Sequence, residues 1–195
     1  MSSVLVLGGC GFVGRHLVAL LVGEPEGVIG KIRVVDKLMP SMAHLAPAHV
    51  KAYGSPLVEF RQCDLSREAG VTKAFETEGV WTHVFNLTFD AVKFGQQDDV
   101  YHQQIVEVAT RCGAAAAAAG VSRFVELSTA QVYESSATGK AETGAKLKPW
   151  TKQATYKLRA ESILRDVPGL NLVVLRKPPP PLPLCPHAHA RMHTH

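Results

Sequence analysis

A glycine-rich turn near the N-terminus could bind a phosphate group. It reads GGCGFVG and lies between an apolar run at residues 4–7 and an apolar segment at residues 16–22. This pattern predicts a buried strand, a tight turn and a helix. In that arrangement backbone N–H groups point at an anion, and the missing side chains let a pyrophosphate approach. The predicted phosphate-binding residues are Gly8, Gly11, Phe12, Val13 and Gly14.

An acidic residue follows the second apolar run at the distance typical of dinucleotide-binding folds. Asp36 lies 22 residues after Gly14, and a carboxylate about 20 residues beyond the glycines binds the adenosine ribose hydroxyls. The alternative is a tight turn followed by a surface aspartate. Because a carboxylate repels a 2′-phosphate, Asp36 favours NAD over NADP. Three cations close in the sequence could bind that phosphate and keep NADP as an alternative cofactor, namely Arg15, Arg33 and Lys37.

Composition predicts a single globular domain of an intracellular protein. The 195 residues are 46% hydrophobic with a net charge of +4, and no basic run is interleaved with aromatic residues, so we expect no nucleic-acid partner. No stretch approaches about 18 consecutive apolar residues, so we expect no membrane span. The four cysteines form no C-x-x-C pair, which indicates reduced thiols and a cytoplasmic location. We expect Cys10, Cys63 and Cys112 to be buried.

Strand and helix patterns alternate from residue 4 to residue 176. They predict an α/β fold, a Rossmann-type doubly wound parallel sheet. The predicted strands are 4–7, 32–35, 57–62, 83–87, 123–128 and 172–175, and the predicted helices are 16–22, 67–76, 96–120 and 149–165. Ser66 is expected to cap the second of these helices, and residues 37–56 to form a loop with a short helix.

A change of composition divides the chain into a dinucleotide-binding domain at residues 1–176 and a tail at residues 177–195. The tail holds six prolines and four histidines, so we expect it to be disordered. Loose metal binding by those histidines would lack an oriented second shell of partners. We therefore expect no functional metal site.

Several further motifs make the chain resemble the extended short-chain dehydrogenase/reductase family. This family includes NAD-dependent sugar-nucleotide epimerases and dehydratases and the 3β-hydroxysteroid dehydrogenases. GGCGFVGRHL matches its opening motif, and Asp64-Leu65 looks like the pair whose aspartate approaches the adenine amino group. Asn86-Leu87-Thr88 resembles the motif that runs beside the pyrophosphate and ribose. The resemblance implies NAD(H) as the cofactor and hydride transfer on a sugar nucleotide or a hydroxy/keto substrate.

The resemblance also implies where the chemistry would occur. LSTAQVY is similar to the family's SS-x-x-VYG segment and puts Thr129 on the position of the hydroxyl that binds the substrate oxygen. Residues 151–161 align on Y-x-x-x-K-x-x-x-E, so that Lys157 would hold the nicotinamide ribose and stabilise a phenolate by its charge. The tyrosine position falls on Gln153, whose amide does not titrate.

The proton donor is therefore open. Tyr156 is adjacent to Lys157, about 100° around the helix, and cannot substitute directly. Tyr133 and Tyr101 are the remaining candidates if the fold brings them to the nicotinamide. Two functions stay open as well: an NAD-dependent oxidoreductase or epimerase, and a non-catalytic dinucleotide-binding assembly or sensor module.

Family members continue for well over a hundred residues after the sixth strand. The chain looks C-terminally truncated, and we expect the substrate-binding lobe to be largely missing. A sheet edge left unpaired by absent strands would favour a homodimer.

Overall fold

A computed structural model describes residues 1–88, 94–134 and 144–178. A six-stranded parallel sheet runs through it in the order β3-β2-β1-β4-β5-β6, and this confirms the predicted doubly wound α/β fold. The strands are β1 (Ser2–Leu7), β2 (Ile29–Asp36), β3 (Val58–Gln62), β4 (His83–Asn86), β5 (Arg123–Thr129) and β6 (Leu172–Lys177). The helices are α1 (Phe12–Val22), α2 (Pro47–Tyr53), α3 (Glu68–Phe75), α4 (Asp98–Tyr101), α5 (Val108–Ala118) and α6 (Lys152–Arg165).

The strand order reverses at β1, which pairs with β2 on one side and with β4 on the other. Leu7 at its end lies opposite Val35 in β2 and Asn86 in β4. The chain winds outwards to β3 and then crosses back to β4. In an open parallel sheet such a reversal leaves a crevice at the carboxyl ends of the strands, and ligands bind there.

Helices cover both faces of the sheet, and each face has its own apolar core. The first core joins α3, α5 and α6 to the sheet through residues such as Phe75, Cys112 and Leu164. The second packs α1 on the other face through Val18. Cys10, Cys63 and Cys112 are buried free thiols, as expected for small apolar residues.

The segment after β4 differs from the uniform helix predicted over residues 96–120. A π-helix at His102–Glu107 separates α4 from α5. A π-turn inserts one residue into the helical register, and such insertions are frequent at functional sites. Here the insertion leaves Gln103 and Gln104 exposed between the buried Tyr101 and Ile105.

The N-terminus of α3 corrects the prediction that Ser66 caps this helix. The N-cap residue is Arg67, which has no side-chain capping bond. The Ser66 hydroxyl instead donates to Asp64 Oδ1 at 2.7 Å, and the Ser66 N–H donates to the same oxygen at 3.0 Å. An aspartate two residues upstream competes for the serine because it closes a local turn.

A buried cation lies between β2 and the C-terminal end of α3. Arg33 is 1% exposed, donates to Glu59 at 3.0 Å and stacks on the Trp81 ring with 4.8 Å to its centroid. Arg61 donates to the same carboxylate at 2.6 Å. Burial raises the pKa of Glu59, but the hydrogen bonds from these arginines outweigh burial and lower the pKa to about 2.

The expected tail at residues 177–195 lies outside the described residues from position 179 onwards. β6 continues to Lys177, one residue past the predicted end of the domain. No helix among the described residues is both long enough and apolar enough to span a bilayer.

Candidate cofactor site

An open cleft lies at the carboxyl ends of β1 to β4, where the strand order reverses. Seven of the predicted cofactor residues line this cleft: Gly8, Gly11, Asp36, Asp64, Leu65, Leu87 and Thr88. The remaining described lining residues are Lys37, Cys63, Ser66, Gln103, Gln104 and Val108. Four consecutive strand ends thus contribute to one concave site, as a dinucleotide requires.

The glycine turn is packed so closely that two of its positions admit no side chain. Gly8 has φ +75°, and a Cβ there would lie 2.9 Å from the backbone of Leu87 and Thr88. A Cβ on Gly14 would lie 2.5 Å from the carbonyl oxygens of Gly8 and Gly9. These contacts bring the N-terminus of α1 against the ends of β1 and β4, where its positive dipole end suits an anion.

The other predicted residues of this turn lie in the first turn of α1, outside the cleft lining. Phe12 is 70% exposed, Gly14 is buried, and Val13 is half-buried and packs against the core on the α1 face. Gly11 is the N-cap residue and lines the cleft. The structure therefore brings Gly8 and Gly11 to the cleft surface and uses Gly14 for helix packing.

Asp36 holds the end of β2 against the glycine turn. Its Oδ2 accepts a hydrogen bond from Cys10 N at 3.0 Å, and its Oδ1 accepts one from Leu38 N at 3.0 Å. Burial, together with the Asp36 charge, raises the pKa of the Cys10 thiol to about 12. Cys10 is therefore a protonated, unreactive thiol at neutral pH.

Of the three cations that kept NADP as an alternative cofactor in the sequence analysis, one lines the cleft. Arg33 is buried against Glu59 and Trp81 and is not among the described lining residues. Arg15 donates to backbone carbonyls, including Cys10 O at 2.8 Å and Ala43 O at 3.0 Å, and so ties the glycine turn to the loop after β2. Lys37 is the cation among the cleft residues.

At the end of β3, Asp64 presents a carboxylate to the cleft. Its side chain is 47% exposed, and hydrogen bonds from Ser66 hold its pKa below the usual value. The backbone beneath it is close to α3, because a Cβ on Gly70 would lie 2.0 Å from Asp64 O. The loop therefore depends on a glycine that carries no chemistry of its own.

The residues assigned to catalysis by resemblance lie outside the cleft lining. Thr129 is 4% exposed, and its Oγ1 accepts a hydrogen bond from Gln131 N at 3.2 Å. Lys157 is 2% exposed, and its Nζ donates to Glu126 Oε1 at 2.6 Å. Asn86 is also buried and donates to the second oxygen of Glu126 at 2.6 Å.

Neither candidate tyrosine is among the described residues that line the cleft. Tyr101 is 1% exposed and stacks on Tyr156 with 5.7 Å between ring centroids. The Tyr133 hydroxyl accepts a hydrogen bond from Arg176 at 2.5 Å. Gln153 is buried at 4% exposure. The described residues therefore bring no tyrosine into the cleft.

Sequence reasoning missed several residues of this region, among them Gln103, Gln104 and Glu126. Gln103 and Gln104 line the cleft and lie within the π-helix, which hydrophobic periodicity did not reveal. Glu126 carried a visible signal, because it is an acid inside the buried strand segment FVELST. An ionisable residue in such a strand needs a buried partner.

The described residues contain no group of three or more histidine, cysteine or acidic side chains arranged to hold a metal ion. The four tail histidines considered in the sequence lie outside the described residues.

The sequence model of the NAD dependent epimerase/dehydratase family matches residues 4–179 of this chain. The chain belongs to this family. This confirms the resemblance drawn from the glycine turn and the motifs at the strand ends, because the epimerases and dehydratases are members of the extended short-chain dehydrogenase/reductase family. No curated protein shows a significant match.

Solved structures share the fold. A UDP-Glc/GlcNAc 4-epimerase from Campylobacter jejuni is similar with a TM-score of 0.74 and 23% identity over 90% of this chain and 53% of its own. A UDP-glucuronic acid 4-epimerase from Bacillus cereus, in complex with NAD, has a TM-score of 0.74 and 17% identity, covering 90% and 56%. The dTDP-glucose 4,6-dehydratase DesIV from Streptomyces venezuelae, with NAD and TYD bound, has a TM-score of 0.70 and 22% identity, covering 89% and 55%. The chain spans about half the length of these proteins.

Proposed function

We propose that this chain binds NAD(H) in the cleft at the ends of β1 to β4. The observation that carries the proposal is the convergence of the glycine turn, Asp36, Asp64 and Thr88 on one concave surface. These residues come from four separate strand ends and were selected from the sequence alone. Their convergence supports a ligand that extends across the reversal of strand order, as a dinucleotide does.

The cleft favours NAD(H) over NADP(H). A 2′-phosphate would meet the carboxylate of Asp36, which both Cys10 N and Leu38 N hold in place. Arg15 and Arg33 are bound to carbonyls and to Glu59. Lys37 is thus the cation available to offset that repulsion among the lining residues.

We further propose that the reaction is hydride transfer on a hydroxyl or keto carbon, with a sugar nucleotide as the substrate class. Bound NAD supplies the hydride acceptor, and the solved relatives named above act on UDP- and dTDP-sugars. Thr129 is the proposed hydroxyl for the substrate oxygen, and Lys157 the proposed partner of the nicotinamide ribose. Because those relatives are about twice as long, this activity is a proposal for the whole protein.

A second candidate function is a non-catalytic dinucleotide-binding module, and two observations favour it. Gln153 stands where the family's proton-transferring tyrosine would be. The Lys157 ammonium, which would stabilise a phenolate, pairs with Glu126 at 2.6 Å. An ammonium already neutralised by a carboxylate lowers a nearby phenol's pKa less.

One titration series tests both candidates. The purified chain is titrated with NADH and NADPH while nicotinamide fluorescence and thermal melting are followed; we expect saturable, stabilising binding with NADH preferred. The NAD⁺-loaded chain is then mixed with UDP- and dTDP-hexoses. Appearance of reduced nicotinamide would support the enzyme, and its absence with every sugar would support the module. Failure of either cofactor to bind would refute the proposed function.

A further inference from the structure

A hydrogen-bonded chain of four side chains connects the sheet interior to the cofactor cleft. Lys157 Nζ donates to Glu126 Oε1 at 2.6 Å, and Asn86 Nδ2 donates to Glu126 Oε2 at 2.6 Å. The hydroxyl of Thr88 donates to Asn86 Oδ1 at 2.8 Å. We call Lys157, Glu126, Asn86 and Thr88 the Glu126 network.

Most of the network is shielded from water. Glu126 is 0%, Asn86 1% and Lys157 2% exposed, and Asn86 and Glu126 are directly paired across β4 and β5. Burial raises the pKa of Glu126 above its usual value, and the Lys157 charge and the hydrogen bonds from Lys157 and Asn86 offset only part of that rise. A buried carboxylate needs such donors, so Glu126 constrains the groups around it.

The carboxylate determines which way the Asn86 amide points. Both oxygens of Glu126 accept hydrogen bonds in the structure, Oε1 from Lys157 and Oε2 from Asn86, so the amide turns its NH₂ towards Glu126. Asn86 Oδ1 is then directed to Thr88, whose hydroxyl hydrogen is used in that bond. Thr88 Oγ1 is left with acceptor capacity only, which suits a ribose hydroxyl better than a phosphate oxygen.

Thr88 is the member of the network that reaches the cleft. It lines the cleft beside Gly8, and its backbone would be 2.9 Å from a Cβ placed on that glycine. The position of Thr88 therefore affects both the cleft wall and the glycine turn. Asn86 Oδ1 accepts from both the Thr88 hydroxyl, at 2.8 Å, and the Thr88 N–H, at 3.4 Å, so a displacement of Asn86 alters the position of Thr88.

We propose that Glu126 is a positioning residue of the cofactor cleft, which acts through Asn86 to fix Thr88 as a hydrogen-bond acceptor for the dinucleotide. The proposal rests on NAD(H) binding in this cleft. It gives Lys157 a structural role as well, because the Lys157 ammonium is the buried partner of the Glu126 carboxyl group at 2.6 Å.

The test uses variants that leave no unpaired buried charge. Removing one partner of a buried ion pair is strongly destabilising, whereas replacing both is tolerated better. Glu126→Gln/Lys157→Met keeps an oxygen that accepts from Asn86, and Glu126→Met/Lys157→Met removes it. Both lack Lys157, so any direct contact of that lysine with the cofactor cancels in the comparison.

We expect the methionine double variant to bind NADH about tenfold more weakly than the glutamine double variant, at a temperature where both are folded. Adding Thr88→Val should cost about tenfold in the glutamine background and no further affinity in the methionine background. Equal NADH affinity of the two double variants would overturn the proposal. So would the same loss from Thr88→Val in both backgrounds.

A second measurement needs no cofactor. Thr88→Val should change the free energy of unfolding by different amounts in the Glu126→Gln/Lys157→Met and Glu126→Met/Lys157→Met variants, a non-additive effect that the network transmits through Asn86. Additivity would refute the network whether or not NADH binds. If the parent chain binds neither NADH nor NADPH, the proposed function is refuted. The unfolding measurements still test whether Thr88 and Glu126 are coupled through Asn86.

Discussion

Replacing Gly14 by alanine should separate the glycine turn from α1. The new Cβ would lie 2.5 Å from the carbonyl oxygens of both Gly8 and Gly9, and real Cβ atoms essentially never come within 3.0 Å of a heavy atom outside their own and the adjacent residues. Both obstacles are backbone atoms, so no side-chain rotation relieves the contact. Overpacking of this kind costs about 1–3 kcal/mol of folding stability. The displaced turn contains Gly8 and Gly11, which line the cleft.

We expect Gly14→Ala to raise the Kd for NADH at least about tenfold, which is about 1.4 kcal/mol of binding free energy, and to lower the melting temperature. Fluorescence titration and thermal melting measure the two effects. Gly23→Ala is the matched control at the other end of α1, where the nearest atom to a Cβ is Leu20 O at 3.4 Å. It should leave NADH affinity unchanged. Parent-like affinity and melting of Gly14→Ala would refute the packing argument.

Three further predictions concern the surroundings of the cleft. Asp36→Asn should shift the NADH-to-NADPH preference about tenfold towards NADPH in parallel titrations, because it removes the charge that repels a 2′-phosphate. Glu59→Gln should cost about 1–2 kcal/mol of unfolding free energy at pH 7 in urea titrations, discounted for partial exposure. Since the folded pKa is lowered from 4.5 to about 2, that cost should shrink as pH falls through this range. Tyr53→Phe should cost about 1 kcal/mol in the same assay, because it removes the 2.7 Å bond to Gly9 O.

The framework of the fold was predictable because its signals are local and strong. Apolar runs, and an alternating pattern in the third strand, marked all six strands, and residues 4–7 of β1 are as buried as their unbroken apolar pattern predicted. The Asp36 position followed from its distance to the glycines. These features depend on residues close in the sequence, or on the right-handed crossover connection that parallel strands almost always have.

The details that periodicity missed depend on competition between local alternatives. The π-helix at His102–Glu107 adds one residue to a helix whose apolar pattern reads almost the same with or without it. Ser66 has the composition of an N-cap, but Asp64 offers its hydroxyl a partner two residues away. Both errors concern energies of about 1 kcal/mol, which sequence patterns do not resolve.

The position of Lys157 shows why motif spacing alone could not describe the surroundings of the residues assigned to catalysis by resemblance. The spacing from Gln153 to Lys157 is one helical turn, so it predicts that both residues lie on the same helix face. It does not predict which residues pack against that face. The partner, Glu126, depends on the packing of α6 against β5, and Asn86 on the register between β4 and β5. Because Glu126 already neutralises the ammonium, Gln153→Tyr would create a phenol without the free positive charge that lowers its pKa. Restoring the family's proton relay at this site would therefore require replacing Glu126 as well as Gln153.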